Sequence, residues 1–321
     1  MPATSLSQDD VYRSLGVTTP RIPLNPLYGF PRYFIPSALK AYPFAIDNFA
    51  GWMPKLDLQD KRIAGICGSG DFVINAFLMG AKEIMSIDIM ETACLFGELK
   101  IAAIKRLSYI DYLSFLATPG PDIFNSDSYA YHYYERVCDL LSVTARDFFD
   151  QLIKPTGNNP YLSPGGLLVC KIGQKAMPAI IRMNPYLKNA STYELAKKRI
   201  KTVLFFPQDI TQFLCSAQTT YDMVYLSNTR VYNPSDKDII TSLPRYTLTP
   251  ETAVVSIHHL DGPAKKRRHL LSEYKAEARK QKVGIDVNFV KCEFNAERLQ
   301  VAMIIKKRSW LTRIKDALRI Q

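Results

Sequence analysis

Residues 62–90 read RIAGICGSGDFVINAFLMGAKEIMSIDIM. The stretch begins with a short apolar run, continues through the glycine turn CGSGD and an apolar helical segment, and ends in a second apolar run that closes on Asp88. A strand, a glycine turn, a helix and a second strand ending on an acid are typical of the opening of a nucleotide-binding α/β unit. The stretch therefore predicts an α/β fold that holds a ligand at the carboxyl ends of its strands.

The chain beyond residue 90 repeats this alternation of short apolar runs and helical segments, which indicates a parallel sheet with crossover helices. Strands are predicted at 62–67, 83–88, 201–206, 222–227, 253–258, 287–292 and 300–306, and helices at 72–79, 92–107, 135–152, 193–200, 210–217 and 265–281. The last two strands are separated by the short segment EFNAER. A hairpin there, at the sheet edge, distinguishes a class I methyltransferase-like Rossmann sheet of about seven, mostly parallel strands from a plain dinucleotide-binding fold.

Two regions depart from the alternating pattern. Residues 1–55 contain eight of the twenty prolines, interleaved with aromatic residues. They predict an ordered N-terminal arm, with a short helix over 37–41, laid over an α/β domain of residues 56–321. The second and third predicted strands are more than a hundred residues apart, far more than a crossover needs. We therefore expect a mostly helical insertion over about 109–200, covering the mouth of the sheet.

The composition narrows the cellular setting. No apolar run approaches the roughly 20 residues that span a bilayer, and the first ten residues have no signal-peptide core, so a cytoplasmic location is expected. The six cysteines contain no C-x-x-C pair. They predict reduced and mostly buried thiols, with Cys67, Cys170 and Cys215 in apolar runs, and no metal site.

The net charge of +11 favours an anionic partner. The C-terminal segment KKRSWLTRIKDALRIQ fits a basic amphipathic helix. Such a helix either packs on the domain's own core or makes a peripheral contact with an anionic membrane at its inner face. No specific nucleic-acid partner is predicted.

Glycines or polar residues follow four successive predicted strands. The predicted cofactor-binding residues are Gly68, Ser69, Gly70 and Asp71 after the first strand, Asp88 and Ile89 at the second, Asp209 and Ile210 after the third, and Ser227 and Asn228 at the fourth. Asp88 stands about 20 residues after the glycines, where a carboxylate accepts hydrogen bonds from ribose hydroxyls. Asp209 is placed to meet an adenine amino group. The alternatives are a tight turn without a ligand at CGSGD and a helix N-cap at Asp88.

The missing phosphate motifs indicate which nucleotide binds. A Walker loop is absent from the sequence, and CGSGDF does not complete the G-x-G-x-x-G pyrophosphate fingerprint. S-adenosylmethionine carries no phosphates and needs only the looser turn. The pattern therefore favours S-adenosylmethionine as the cofactor.

Two segments carry a resemblance to a known family. GSGDFVINAFLMGAKEIMSIDI at 68–89 and ELKIAAIKRLSYIDYLSFLA at 98–117 resemble the S-adenosylmethionine:diacylglycerol 3-amino-3-carboxypropyl transferases of betaine-lipid synthesis, the BtaA-like family. Segments 145–157 and 221–228 resemble it more loosely. The resemblance implies a class I S-adenosylmethionine fold with a large insertion after the second strand. It also implies transfer of the aminocarboxypropyl group to a hydroxyl, with methylthioadenosine leaving. Family members have Asn-Pro where this chain has Met90-Glu91, so the acceptor stays open.

The segment DSYAYHYYER at 127–136 supplies the candidate catalytic groups. His132 is the first candidate base, with Tyr129 and Tyr131 beside it, because an alcohol nucleophile benefits from a base. Glu135 or Arg136 is expected to bind the cofactor carboxylate or the acceptor, and His258 and His259 are second candidates for the base. The alternative is a half-buried aromatic packing cluster.

Three functions remain open on the sequence. The first is an aminocarboxypropyl transferase acting on a hydroxyl acceptor, diacylglycerol-like or other. The second is an S-adenosylmethionine-dependent methyltransferase acting on a small molecule or lipid, and the third is a non-catalytic binding protein that keeps the fold. The products separate them, since the first releases methylthioadenosine, the second S-adenosylhomocysteine and the third neither.

Overall fold

The computed structural model of the chain describes residues 44–117, 129–153, 177–227, 248–260, 272, 276, 283–291 and 299–307. Several predictions lie outside these residues: the arm before residue 44 with its helix at 37–41, almost all of the helix at 265–281, and the basic C-terminal helix. Asn228 and Cys170 also lie outside them.

Seven strands form one sheet within the described part of the chain. They are β1 (Arg62–Ile66), β2 (Glu83–Asp88), β3 (Thr202–Pro207), β4 (Tyr221–Tyr225), β5 (Leu248–Leu260), β6 (Val283–Lys291) and β7 (Leu299–Lys307). The spatial order is β3-β2-β1-β4-β5-β7-β6. Each predicted strand overlaps one of these, because apolar runs of four to six residues buried in a sheet leave a clear pattern in the sequence.

The direction of the strands defines the fold. β1 pairs in parallel with β2 and β4, β2 with β3, and β4 with β5. β7 is antiparallel to both β5 and β6, between which it lies. The fold is that of the class I methyltransferases. The predicted fold class is thereby confirmed, including the closing hairpin.

The helices flank this sheet. Their bounds are α1 (Phe49–Trp52), α2 (Asp71–Leu78), α3 (Glu91–Arg106), α4 (Tyr109–Ala117), α5 (Tyr129–Glu135), α6 (Val143–Ile153), α7 (Met177–Met183), α8 (Ala190–Arg199) and α9 (Ile210–Ser216). Short 3-10 helices occupy Met53–Lys55, Cys138–Leu140 and Pro185–Leu187. The helices α4 to α8, with two of the 3-10 helices, lie in the chain between β2 and β3.

The predicted single helix at 135–152 is wrong. The chain instead forms α5, a 3-10 helix and α6. Ser142 separates the last two, since its side-chain oxygen accepts a hydrogen bond from the Ala145 N–H at 3.2 Å, as helix-capping serines do. Glu98 of α3 accepts hydrogen bonds from both the backbone N–H and the hydroxyl of Ser142. A buried contact with a distant helix therefore decides where α6 begins.

The burial of the cysteine thiols differs from the prediction at one position. Cys67 and Cys94 are buried, but Cys215 is exposed, so the prediction of burial is wrong for Cys215. Its position on α9 turns it away from the core. Among the residues that the structure describes, no helix is long and apolar enough to cross a membrane. Within the same residues no three His, Cys, Asp or Glu side chains are grouped to hold a metal.

Gly97 permits the close packing of α3 on the sheet. A Cβ atom there would lie 2.5 Å from the Cys67 sulfur and 2.9 Å from the Phe205 ring. Both neighbours are buried, and a Cβ at Gly70 would meet Gly97 Cα at 3.1 Å. The turn after β1 and the first half of α3 therefore touch without an intervening side chain.

Replacing Gly97 by Ala should lower the free energy of unfolding by about 1–3 kcal/mol, because the new methyl group overpacks the core. Alanine favours an isolated helix by roughly 1 kcal/mol over glycine, so any loss comes from packing. Urea denaturation measures the change. Ser191→Ala on the exposed face of α8 is the control and should change the stability by less than about 0.5 kcal/mol. A Gly97→Ala protein as stable as wild type would contradict the close packing.

Candidate cofactor-binding site

The candidate site lies at the carboxyl ends of β1, β2 and β4. β1 has β2 on one side and β4 on the other. From β1 the sheet continues through β2 to β3 on one side and through β4 to β5 on the other. The chain therefore reverses its direction across the sheet between β1 and β4. Ligands of open α/β sheets bind in the crevice at such a topological switch point. The turns that follow β1 and β4 therefore form the centre of the site.

The glycine turn after β1 has the backbone that the sequence predicts. Gly68 and Gly70 have φ values of +54° and +78°, a region that glycine occupies without strain. The Gly70 N–H donates to the Cys67 carbonyl at 2.8 Å and closes the turn. A Cβ built on Gly68 would meet no atom of the described residues within 4 Å. Gly68 thus faces open space and leaves room for a ligand against the backbone.

Asp88 ends β2 beside this turn and is 8% exposed. Its carboxylate accepts hydrogen bonds from the Gly68 N–H at 2.9 Å and from the Met90 N–H at 3.0 Å. Burial raises its pKa to about 6, against the lowering effect of these two bonds. In the part of the chain that the structure describes, no side chain caps α3, whose N-cap residue is Met90. The helix-cap alternative for Asp88 is therefore wrong, and its carboxylate lies at the glycine turn instead.

An apolar side chain and an acidic side chain follow shortly after Asp88. Ile89 is 61% exposed, an unusual position for a large aliphatic residue beside a buried strand end. Glu91, the first residue of α3, has one buried carboxylate oxygen that finds no hydrogen-bond partner among the described residues. Burial raises the pKa of Glu91 to about 7. An exposed apolar surface and two carboxyls therefore lie together at the end of β2.

The end of β3 joins the same edge. The Gln208 N–H donates to the Asp88 carbonyl at 2.9 Å. Asp209 is the N-cap of α9 and accepts hydrogen bonds from the backbone N–H groups of Thr211 and Gln212 at 2.8 and 3.0 Å. Ile210 is 4% exposed. Asp209 therefore caps α9 through Oδ1, which engages that oxygen within its own turn.

The end of β4 is held by a residue of the N-terminal segment. Ser227 has a φ of +47°, in the left-handed region that disfavours non-glycine residues. Its hydroxyl donates to Asp47 at 3.0 Å. The Tyr225 hydroxyl donates to the same carboxylate oxygen, and Asp47 is 4% exposed. Ser227 lies at the predicted position, whereas no feature of the sequence around Asp47 indicated its role.

Asp71 has a different environment from the other predicted cofactor ligands. It is fully buried and forms an ion pair with Lys100, whose ammonium nitrogen lies 2.5 Å from Oδ1. The hydroxyls of Tyr186 and Ser69 donate to it at 2.6 and 2.8 Å, and the Ala45 N–H at 2.5 Å. The prediction that Asp71 contacts the cofactor is therefore corrected, because four donors of the protein surround its carboxylate. Ser69, 3% exposed, belongs to the same network.

This buried network extends away from the strand ends. The hydroxyls of Tyr112 and Tyr186 are 3.0 Å apart, and the ammonium of Lys100 lies 4.7 Å from the centre of the Phe44 ring. Burial lowers the pKa of Lys100, and the charge of Asp71 opposes that effect. Asp71, Lys100 and Tyr112 all come from the two segments at 68–89 and 98–117. The lysine of ELKIAAI, a charge on an otherwise buried helix, was the signal from which the pair could have been found.

The predicted catalytic residues lie elsewhere. His132 is exposed and its Nδ1 is 3.5 Å from the carboxylate of Glu135. Helix α5 packs against α4 and the 3-10 helix Cys138–Leu140, and Asp139 of that 3-10 helix pairs with Arg106 at 2.7 Å. Arg106 ends α3, whose 16 residues place it about 22 Å from the end at Glu91. His132 is therefore not part of the strand-end cluster, meaning the residues Gly68, Asp88 and Ser227 at the carboxyl ends of β1, β2 and β4.

The neighbours of His132 are separated from the cluster as well. Tyr129 and Tyr131 lie in α5. Tyr133 and Tyr134 are buried and pack against Phe115 and Phe149, as the aromatic-packing alternative expects. Arg136 pairs with Asp111 at 3.1 Å. A surface depression of about 390 Å³ lies there, lined by Arg106, Glu135, Arg136 and Asp139. The second-choice bases His258 and His259 lie in β5.

No protein-family model and no curated protein matches the chain. The betaine-lipid family indicated by the sequence is accordingly not confirmed. Solved structures of S-adenosylmethionine-dependent methyltransferases are similar, among them one from Thiobacillus denitrificans in complex with S-adenosylhomocysteine, with 11% identity, a TM-score of 0.42 and coverage of 87% of this chain and 99% of that one. Another, from Geobacter sulfurreducens with the same ligand, has 10% identity, a TM-score of 0.42 and the same coverage. At such TM-scores the fold assignment rests on strand order and direction.

Replacing Lys100 by Met should lower the free energy of unfolding by about 3–5 kcal/mol, because it leaves the buried Asp71 carboxylate without its cation. The double variant Asp71→Asn/Lys100→Met should be more stable than Lys100→Met alone, since no buried charge then remains. Urea denaturation gives both values. Asp139→Asn, which breaks the exposed pair with Arg106, is the control and should cost about 1 kcal/mol or less. A double variant less stable than Lys100→Met would show that the charge is not the cause.

Proposed function

We propose that this chain is an S-adenosylmethionine-dependent transferase that binds its cofactor across the carboxyl ends of β1, β2 and β4. The observation that carries the proposal is the hydrogen bond from the Gly68 N–H to the Asp88 carboxylate at 2.9 Å. It fixes an acidic strand end beside a glycine turn that faces open space. That combination stands on a sheet whose strand order and antiparallel β7 are those of the class I methyltransferases.

The residues at these strand ends fit an adenosine without phosphates. A carboxylate with four lone-pair sites can hold two backbone N–H groups and still accept from ribose hydroxyls, as Asp88 would. Ile89 offers an exposed aliphatic side chain against which an adenine ring can pack. The backbone at Gly68 allows close approach of a ligand. Ser227, at the end of β4, faces the same crevice from the other side.

The finer proposal concerns the group that is transferred. When bound, S-adenosylmethionine supplies a sulfonium whose methyl carbon or γ-carbon is open to attack by a nucleophile. The resemblance of segments 68–89 and 98–117 to aminocarboxypropyl transferases supports the γ-carbon and a hydroxyl acceptor, lipid or lipid-like. The protein's part in either reaction is to present one of the two carbons to the acceptor by orientation.

Methyl transfer is the competing activity, since the strand order of the sheet is that of the class I methyltransferases. The purified protein is incubated with S-adenosylmethionine and a lipid extract, and the nucleoside products are separated by chromatography. We expect methylthioadenosine. S-adenosylhomocysteine alone would overturn aminocarboxypropyl transfer and keep the transferase, whereas neither product, despite binding, would favour a non-catalytic binding protein. Because S-adenosylmethionine also releases methylthioadenosine spontaneously, a protein-free incubation is the control.

The affinity for S-adenosylmethionine should depend on pH through Asp88. Only the ionised carboxylate accepts freely from both ribose hydroxyls, and its pKa is raised to about 6. Binding should therefore weaken about tenfold from pH 7 to pH 5, because at pH 5 most Asp88 carboxyls are protonated and must lose the proton before the ligand binds.

Asp88→Asn should bind weakly at pH 7 and lose this inflection, because an amide has one acceptor oxygen and no titration. Isothermal titration calorimetry at pH 5, 6 and 7 measures both proteins. Asp57→Asn, at an exposed aspartate outside the strand ends, should keep the wild-type profile. An unchanged affinity in Asp88→Asn would remove Asp88 from the cofactor site.

A further inference from the structure

The N-terminal segment 44–48 crosses the switch point of the sheet and is fastened on both sides of it. On the side of β1, the Ala45 N–H donates to Asp71, which directly follows the glycine turn, at 2.5 Å. On the side of β4, Asp47 accepts from the hydroxyls of Tyr225 and Ser227. Each of these contacts uses a carboxylate, that of Asp71 in the core on one side and that of Asp47 in the segment itself on the other.

Ser227 is the residue at this edge whose backbone needs external support. A serine at φ +47° occupies a region that costs a non-glycine residue of order 1 kcal/mol or more. The carbonyl of Ser227 accepts from the Ile257 N–H at 2.8 Å, so β5 fixes one side of the residue. The hydroxyl bond to Asp47 fixes the other side, at 3.0 Å. A hydrogen bond to a charged acceptor is strong enough to offset such a strain.

Asp47 itself is held rigidly. It is 4% exposed, and the ring of Tyr225, one of its two hydroxyl donors, stacks on Phe72 with centroids 4.0 Å apart and on Trp52 at 5.7 Å. Trp52 belongs to α1, which follows Asp47 in the chain. The carboxylate is thus anchored by an aromatic stack that joins the segment to β4 and to the helix after β1.

We propose that Asp47 is a positioning residue for the cofactor site, which acts by holding Ser227 in its left-handed conformation at the end of β4. This inference rests on the proposed function, because it takes the crevice between β1 and β4 to be the place where S-adenosylmethionine binds. Asp47 acts through Ser227. Its effect on binding therefore disappears when residue 227 no longer needs support.

A double-mutant cycle tests this with S-adenosylmethionine as the titrant in calorimetry. Asp47→Ala should weaken binding about tenfold, the equivalent of roughly 1.4 kcal/mol. Ser227→Gly should weaken it by no more than about threefold, because glycine adopts positive φ without strain. In the Ser227→Gly background, adding Asp47→Ala should weaken binding by about twofold or less. A structural loss that merely loosened the whole site would instead weaken binding equally in both backgrounds.

Two controls keep the outcomes separate. Asp57→Ala removes one negative charge from an exposed site and should leave the affinity unchanged. Thermal unfolding of each variant establishes that it is folded at the titration temperature, and Asp47→Leu, which is of similar shape and has no acceptor oxygen, replaces Asp47→Ala if the latter is not.

The possible results divide cleanly. No binding of S-adenosylmethionine by the wild-type protein would overturn the proposed function and this inference with it. Binding by the wild-type protein and by the folded Asp47 variant with equal affinity would overturn the inference alone. An equal loss in the Ser227 and Ser227→Gly backgrounds would also overturn it, because Asp47 would then act on the ligand or the fold by another route.

Discussion

The buried ion pair of Asp71 and Lys100 is the interaction on which the turns at the carboxyl ends of the strands depend. Two opposite charges with no exposed surface are stable only when every remaining donor and acceptor finds a partner. Here the partners come from segments far apart in the chain, at Ala45, Ser69 and Tyr186. The pair therefore fixes the glycine turn, the middle of α3, the 3-10 helix at Pro185–Leu187 and the N-terminal segment relative to one another. A site on neighbouring turns can be rigid because this layer lies behind it.

Three aspartates at or just after strand ends have three different roles in this chain. Asp71 is fully buried and neutralised by Lys100. Asp209 caps α9 with its side chain. Asp88 lies between them in burial and keeps acceptor capacity beyond its bonds to Gly68 and Met90. The same residue type thus stabilises the core, begins a helix or keeps acceptor capacity at a strand end, and the surrounding donors decide which.

The sequence predicted the strands well and the site residues unevenly, for a physical reason. Apolar runs and the glycine turn are local signals, and the backbone follows them at residues 62–90 nearly as predicted. The start of the helix at Val143, by contrast, depends on Glu98 binding Ser142, a contact between residues 44 positions apart. His132 looked like a base because tyrosines surround it in the sequence, yet Tyr133 and Tyr134 point into the helical core while the histidine is exposed. Sequence neighbours on a short helix face different directions, and no local pattern at 127–136 reveals which one meets solvent.

The sequence by itself determined the sheet, its glycine turn and the positions of polar residues at its strand ends, because these follow from periodicity and from backbone conformations that only certain residues adopt. Only the tertiary structure decided which of those polar residues belongs to the core and which keeps acceptor capacity at the strand ends. Asp71 loses its access through donors 26, 29 and 115 residues away. Asp47 gains its place at the end of β4 across 180 residues. Burial and hydrogen bonding are set by such distant partners, and the local sequence around either aspartate carries no trace of them.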